Sequence, residues 1–297
     1  MPKYLLAPLC LALLGLPALG QANGLCNNAR SKTPFFMYEN LQGSPGAAAQ
    51  SYELDSSFTD IVGTRFNVSG GLPLYFTRGD TGTSGAQERV QATGVGDSFL
   101  TLTFTPVASG VAWTTCVTGY APTGSSDLGL GTGRTLVNWN NHLEHDFAAW
   151  APYADLGFAN TTIARRVRRR AYTSLGKVAN LDAGGQVSLG TRVTLDFSGY
   201  ADLPSGAQKI YSRLVRRRAK SGRRIAATVT KPKPYQLAHI TVGGPSLDRD
   251  YGATAALDFT PRPYVDLGFG YTRSAYQGAN IVAFNVGVNI SDVVARF

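Results

Sequence analysis

Beyond its first twenty residues, the 297-residue chain has no apolar run long enough for a membrane-spanning helix. Cysteine is also scarce, with three residues whose spacing matches neither a zinc site nor a thioredoxin-like motif. Cys10 lies in the apolar N-terminal segment. Cys26 and Cys116 could form one disulfide or remain two unrelated thiols. These absences exclude a helical membrane protein and a cysteine-rich metal protein.

The N-terminal segment has the layout of a secretory signal peptide. Lys3 supplies a positive charge, an apolar stretch follows from Tyr4 to Leu19, and small residues suited to cleavage come next. We therefore expect residues 1–22 to be a cleaved signal peptide and residues 23–297 to form one domain. The chain finishes in Phe297, which is typical of outer-membrane barrels and predicts recognition by the barrel assembly machinery.

What the sequence does contain is a repeated alternation of apolar and polar residues. In residues 100–105, leucine and phenylalanine alternate with threonine. In residues 283–290, phenylalanine, valine and isoleucine alternate with alanine, asparagine and glycine. Such a period gives each strand one apolar and one polar face. Mean hydropathy is −0.07, as expected when a polar lumen balances a lipid-facing surface. The pattern predicts twelve strands, over residues 34–42, 50–59, 61–77, 95–106, 110–122, 134–146, 149–161, 178–190, 193–203, 249–260, 263–275 and 280–290.

Short and long connections alternate between these strands, as they do in an outer-membrane barrel. We predict an all-β fold: a single antiparallel transmembrane β-barrel of about twelve strands, with short periplasmic turns and long extracellular loops. The main alternative is a soluble β-sandwich or adhesin, because its strands alternate too. Strand length, aromatic residues near strand ends and carboxylates in mid-strand favour the barrel.

Positive charge is concentrated around two loops, predicted at residues 162–177 and 204–248. Residues 156–181 and 203–247 hold sixteen of the 28 Lys and Arg residues and no acid. These stretches could be solvated chain without a specific partner, or could attract anionic solutes. Nucleic acid is not an expected partner, since no stacking aromatics interleave with the arginines. Because Arg binds phosphate in a bidentate manner, we expect contacts with lipid A phosphates at Arg165, Arg166, Arg168, Arg169, Arg170, Arg216, Arg217, Arg218, Arg223 and Arg224.

Polar side chains on the inward face of the predicted strands form a second candidate site. The register points these residues into the lumen: His142, Glu144, Asp155, Arg192, Asp196, Asp258 and Asp266. If these acids pair with Arg192 and other cations, they could form a charge network that closes the lumen. If they face water, they could instead favour the passage of cations or amines. A barrel of this size is little wider than its own side chains.

The three histidines, His142, His145 and His239, offer little for catalysis. A barrel phospholipase needs a serine–histidine pair on the outer face, whereas His142 is predicted to point inward with no serine beside it in its strand. His142 and Glu144 are too few ligands to indicate a metal site. We therefore expect no catalytic residue, no metal and no cofactor.

Several short glycine-rich motifs indicate a family. Residues 94–102 (GVGDSFLTL) are followed by residues 119–124 (GYAPTG), 130–133 (LGTG) and 153–160 (YADLGFAN). Over roughly residues 55–290, the chain resembles the phenol meta-degradation pathway outer-membrane protein family. The resemblance implies an outer-membrane barrel of about a dozen strands that passes hydrophobic or aromatic compounds, without catalytic residues. The two Arg-rich loops depart from the family pattern.

The sequence thus predicts a passive outer-membrane channel or transporter for small, hydrophobic or aromatic compounds. Its expected partners are outer-membrane lipid, lipopolysaccharide and a small-molecule solute. The alternative is a structural or adhesive barrel with a filled lumen, whose Arg-rich loops contact lipopolysaccharide. A lipid hydrolase built on the barrel is less favoured.

Overall fold

Almost all of the described chain is β-structure. The computed structural model describes residues 26, 36–45, 49–62, 65–80, 89–106, 110–126, 130–161, 172–216, 235–247, 249–276, 278 and 280–295. It has a short 3-10 helix at Pro245–Leu247 and a helix α1 at Ile290–Val294. Among these residues, no helix is both long and apolar enough to cross a membrane. The strands are β1 (Phe36–Pro45), β2 (Ala49–Val62), β3 (Phe66–Asp80), β4 (Arg89–Val95), β5 (Ser98–Phe104), β6 (Val111–Ala121), β7 (Leu136–His145), β8 (Trp150–Thr161), β9 (Tyr172–Ser188), β10 (Val193–Arg216), β11 (Tyr235–Gly243), β12 (Asp250–Arg262), β13 (Val265–Ser274) and β14 (Asn280–Asn289).

Antiparallel pairing joins the strands into a ring. The first strand, β1, pairs with both β2 and β14, and β9 pairs with both β8 and β10. Two positions in the ring are each occupied by two strands that follow one another in the chain. Strands β4 and β5 both pair with β3, and strands β11 and β12 both pair with β10. When each of these pairs is counted as one position, the ring has twelve members. The prediction of an antiparallel barrel of about twelve strands is confirmed.

The barrel wall is apolar outside and polar inside. On β5, the side chains of Leu100 and Leu102 are 61% and 51% exposed, whereas Thr101 and Thr103 are 7% and 3% exposed. A water-soluble sandwich would bury the leucines and expose the threonines, because burial of apolar area drives its folding. Exposed apolar residues recur on the outward face of the other strands. This arrangement is that of a transmembrane β-barrel.

Connections differ in length between the two ends of the barrel. One end has the connections 63–65, 105–110, 146–149, 189–192 and 263–264, and the other includes 81–88, 122–135, 162–171 and 217–234. The long connections are shorter than the sequence predicts, since β9 begins at Tyr172 and β10 continues to Arg216. The extension forms because β10 has partners on both sides there: Lys209 lies opposite Val242 of β11 and Leu175 of β9.

Candidate functional site on the inner wall

Strands β7 to β10 present a continuous polar surface to the lumen. In β7, alternation turns Val137, Trp139 and Leu143 outward. The intervening residues face inward and are buried; they are Asn138, Asn140, His142 and Glu144. Strand pairing adds a second acidic row, because His142 lies opposite Asp155 of β8, which lies opposite Asp182 of β9.

His142 lies between two carboxylates. Its Nδ1 is 2.9 Å from Asp155 Oδ1, and its Nε2 is 3.2 Å from Glu144 Oε2. A neutral imidazole carries one N–H and can donate only one of these bonds, whereas an imidazolium donates both. The arrangement therefore suits a positively charged histidine between two acids.

Two tyrosines tie distant inward carboxylates to the wall. The Tyr153 hydroxyl donates to Asp196 Oδ1 at 3.1 Å, and the Tyr200 hydroxyl donates to Asp250 Oδ2 at 3.1 Å. Ser274 Oγ donates to the other oxygen of Asp250 at 2.5 Å. Hydrogen bonds of this kind hold charged groups in fixed positions inside a low-dielectric wall.

The structure places six of the seven predicted lumen residues on the buried inward face: His142, Glu144, Asp155, Asp196, Asp258 and Asp266. The prediction for Arg192 is wrong. This residue is exposed in the β9–β10 connection, where its carbonyl oxygen accepts a 2.8 Å hydrogen bond from Thr260 N. A side chain at a turn can keep its guanidinium in water, which costs less than burying it beside the acids.

The candidate lipid A residues lie in a different part of the chain. Arg216 is the last residue of β10, and the structure describes its backbone only. The remaining nine lie outside the described residues: Arg165, Arg166, Arg168, Arg169, Arg170, Arg217, Arg218, Arg223 and Arg224.

Sequence reasoning missed several inward acids. Asp182, Asp202 and Asp250 are buried on the same inner face. The alternation of faces along a strand could have identified them, because residues an even number of positions apart lie on the same face. Asp182 is two residues from Asn180, and Asp202 is six residues from Asp196 in the same strand. The partners of Asp250, which are Tyr200 and Ser274, come from other strands and have no sequence signal.

A disulfide joins Cys26 to Cys116, which settles the alternative that the sequence left open. The two Cα atoms are 5.5 Å apart, and Cys116 faces inward from the middle of β6. Cys26 Sγ is 3.8 Å from Asn140 Nδ2 on the neighbouring strand. The chain near its N-terminus is therefore bonded to the inner wall beside the polar surface.

The glycine-rich motifs meet at the long-loop end of the barrel. Asp97 is buried between β4 and β5, and its carboxylate accepts hydrogen bonds from Gly124 N at 3.1 Å and Thr132 N at 2.8 Å. Thr123 Oγ1 donates to Gly96 O at 2.8 Å. No Cβ fits at Gly131, since it would lie 2.5 Å from Asp97 Oδ1. These contacts hold residues 122–126 and 130–135 of this connection against the wall.

Apolar side chains lie on the inner face at this same end. Leu136 packs with Leu175 and Tyr120, and Leu130 packs with Tyr75. Along β7 the inner wall thus changes from Leu136 through two asparagines to His142 and Glu144.

Comparison with known proteins supports the fold. No family model and no curated protein matches the chain. Among solved structures, the COG4313 outer membrane channel from Pseudomonas putida F1 is similar, with a TM-score of 0.55 and 12% identity, covering 91% of this chain and 98% of that chain. The NanC porin (TM-score 0.46, 9% identity, 86% and 99% coverage) and the Pseudomonas putida toluene transporter TodX (TM-score 0.42, 10% identity, 93% and 92% coverage) are more distant. The first likeness shows that this chain has the fold of an outer-membrane β-barrel.

Proposed function

We propose that the protein is a passive outer-membrane channel for small solutes. The observation that carries the proposal is the ring of strands with an apolar exterior and an interior of buried hydroxyl, amide and carboxylate groups. An apolar exterior around a polar interior is the arrangement of an outer-membrane channel. The fold shared with a solved outer membrane channel supports the same reading.

The solute class that we propose is small, hydrophobic or aromatic compounds. The resemblance of the glycine-rich motifs to the phenol meta-degradation family implies this class. The apolar group formed by Leu136, Leu175 and Tyr120 supports it, because it places an apolar surface on the inner face at the long-loop end.

Single-channel recording in planar bilayers tests the channel. The purified protein, shown to be folded by heat-modifiable migration on a cold gel, should produce discrete current steps in potassium chloride. Absence of openings in a folded sample contradicts the proposal and favours a structural or adhesive barrel. That second candidate has its own support, because the buried side chains of His142, Tyr153 and Tyr200 bind carboxylates along the inner wall instead of facing an open lumen.

The proposal extends to cell location and partners. We propose export by the signal peptide at residues 1–22, assembly through Phe297 and contact of the Arg-rich connections with lipopolysaccharide phosphates. Replacing Arg217, Arg218, Arg223 and Arg224 by glutamine keeps the length of the connection and removes four positive charges. Lipopolysaccharide that co-purifies with the wild type should then be lost, and unchanged co-purification contradicts the assignment.

A further inference from the structure

Gly157 brings two amide side chains close together on the inner wall. It lies opposite Asn140 on one side and Asn180 on the other, so three adjacent strands place an amide, a glycine and an amide in one row. A Cβ added to Gly157 would be 2.1 Å from Asn180 Oδ1 and 2.3 Å from Asn140 Oδ1. Both amide oxygens therefore occupy the space that a side chain at this position would take. We call the place where these two oxygens meet above the glycine the Gly157 pit.

The two oxygens of the pit, Asn140 Oδ1 and Asn180 Oδ1, are buried without hydrogen-bond partners among the described residues. The same holds for Asn138 Oδ1 and Asp155 Oδ2, which lie two residues from Asn140 and from Gly157 on the same inner face. The other oxygen of Asp155 is occupied by His142, and Asn140 Nδ2 lies 3.5 Å from that same oxygen. Asn180 Nδ2 also has no partner in the described part of the chain, so no hydrogen bond to its nitrogen opposes the orientation of its oxygen toward the pit. Buried acceptors without donors are costly, and a bound group that needs acceptors removes that cost.

We propose that the Gly157 pit binds a hard metal cation of the class of Ca²⁺. Amide and carboxylate oxygens are the ligands that such cations prefer. The three neighbouring acids, Glu144, Asp155 and Asp182, outnumber the single positive charge of His142 and leave the surface negative. No group of three His, Cys, Asp or Glu side chains in the described ranges is arranged to hold a metal. The proposed site therefore depends on its asparagine oxygens. Within the described ranges, acidic side chains alone do not form a metal site.

A second glycine on the inner wall provides a matched comparison. Gly268 of β13 lies between Asp258 and Asn285, and a Cβ there would be 2.1 Å from Asn285 Nδ2 and 2.6 Å from Asp258 Oδ1. The atom nearest this glycine is an amide nitrogen, which is a donor, whereas the two atoms nearest Gly157 are both amide oxygens, which are acceptors. A donor in that position does not bind a cation, so we expect the place at Gly268 to bind Ca²⁺ more weakly than the Gly157 pit.

Calorimetric titration of CaCl₂ into the full-length mature protein, purified in neutral detergent and freed of metal, measures the site. Gly157→Ala should weaken Ca²⁺ binding at least about tenfold by displacing the two amide oxygens, and Asn180→Leu should do so by removing a ligand. The control Gly268→Ala should bind as the wild type does. Asn180→Asp adds a charge and should tighten binding about tenfold, which misfolding cannot imitate. Heat-modifiable migration checks the fold of each variant.

Terbium luminescence locates the ion. Tyr153 is two residues from Asp155 on the same face of β8, close enough to sensitise Tb³⁺ bound in the pit. Tyr153→Phe should therefore lower Tb³⁺ emission while leaving the Ca²⁺ affinity unchanged. Emission that is independent of Tyr153, or Ca²⁺ binding that is equal in the wild type and in Gly157→Ala, overturns the proposal. In that case the Asn180 amide nitrogen donates to Asn140 across the glycine, and the pit needs no ion.

Discussion

Replacing Leu100 by arginine tests which face of the wall contacts lipid. Leu100 is 61% exposed and lies four residues from Phe104, near the short-connection end of β5. Tilted strands rise about 2.5 Å per residue along the membrane normal, so Leu100 lies about 10 Å into an apolar band of about 25 Å. An arginine near the middle of that band destabilises a barrel by about 2–4 kcal/mol.

A second leucine supplies the control. Leu189 is 54% exposed, yet it lies in the β9–β10 connection, where its N–H donates to Val193 O at 2.8 Å. Leu189→Arg makes the same chemical change outside the apolar band and should cost about 0–1 kcal/mol. Both variants remove similar amounts of exposed leucine surface, so the difference between them reports the depth in the membrane.

Equilibrium unfolding in guanidinium, followed by tryptophan fluorescence of protein folded into phosphatidylcholine vesicles, measures both values. Leu100→Arg should lower the free energy of unfolding by at least about 2 kcal/mol more than Leu189→Arg. Equal effects, or a neutral Leu100→Arg, would mean that this face meets water. The assignment of the exposed leucines to lipid would then be wrong.

Two further predictions concern covalent and polar links. Labelling of the denatured mature protein with a maleimide reagent should add nothing before reduction and two adducts afterwards, because Cys26 and Cys116 are joined; a third adduct would show that Cys10 and the signal peptide remain. Asp97→Ala should cost about 3 kcal/mol in the vesicle assay and expose the connection 122–135 to protease, because Gly124 N and Thr132 N lose a charged acceptor. Wild-type stability and protease resistance would contradict this role of Asp97.

The local pattern predicted the strands well, for a physical reason. In a transmembrane barrel, each side chain of a strand contacts either lipid or the interior. Alternation such as that of Leu100 and Thr101 therefore indicates which side of the wall each residue faces. The same alternation placed Glu144, Asp155 and Asp196 on the inner face. It failed at Arg192, since a residue at the boundary of a strand and a turn has no fixed face. It also failed at β11, whose alternation lies within a basic stretch that resembles a loop.

The amino-acid sequence established the fold class, the faces of most strands and the concentration of positive charge, because each of these depends on residues that are close in the chain. Tertiary structure decided the Cys26–Cys116 disulfide, the carboxylate contacts of His142 and the pit at Gly157. Each of these joins side chains from separate strands, and their meeting depends on the register in which the strands hydrogen-bond. A shift of that register by one residue would reverse every face and separate these groups.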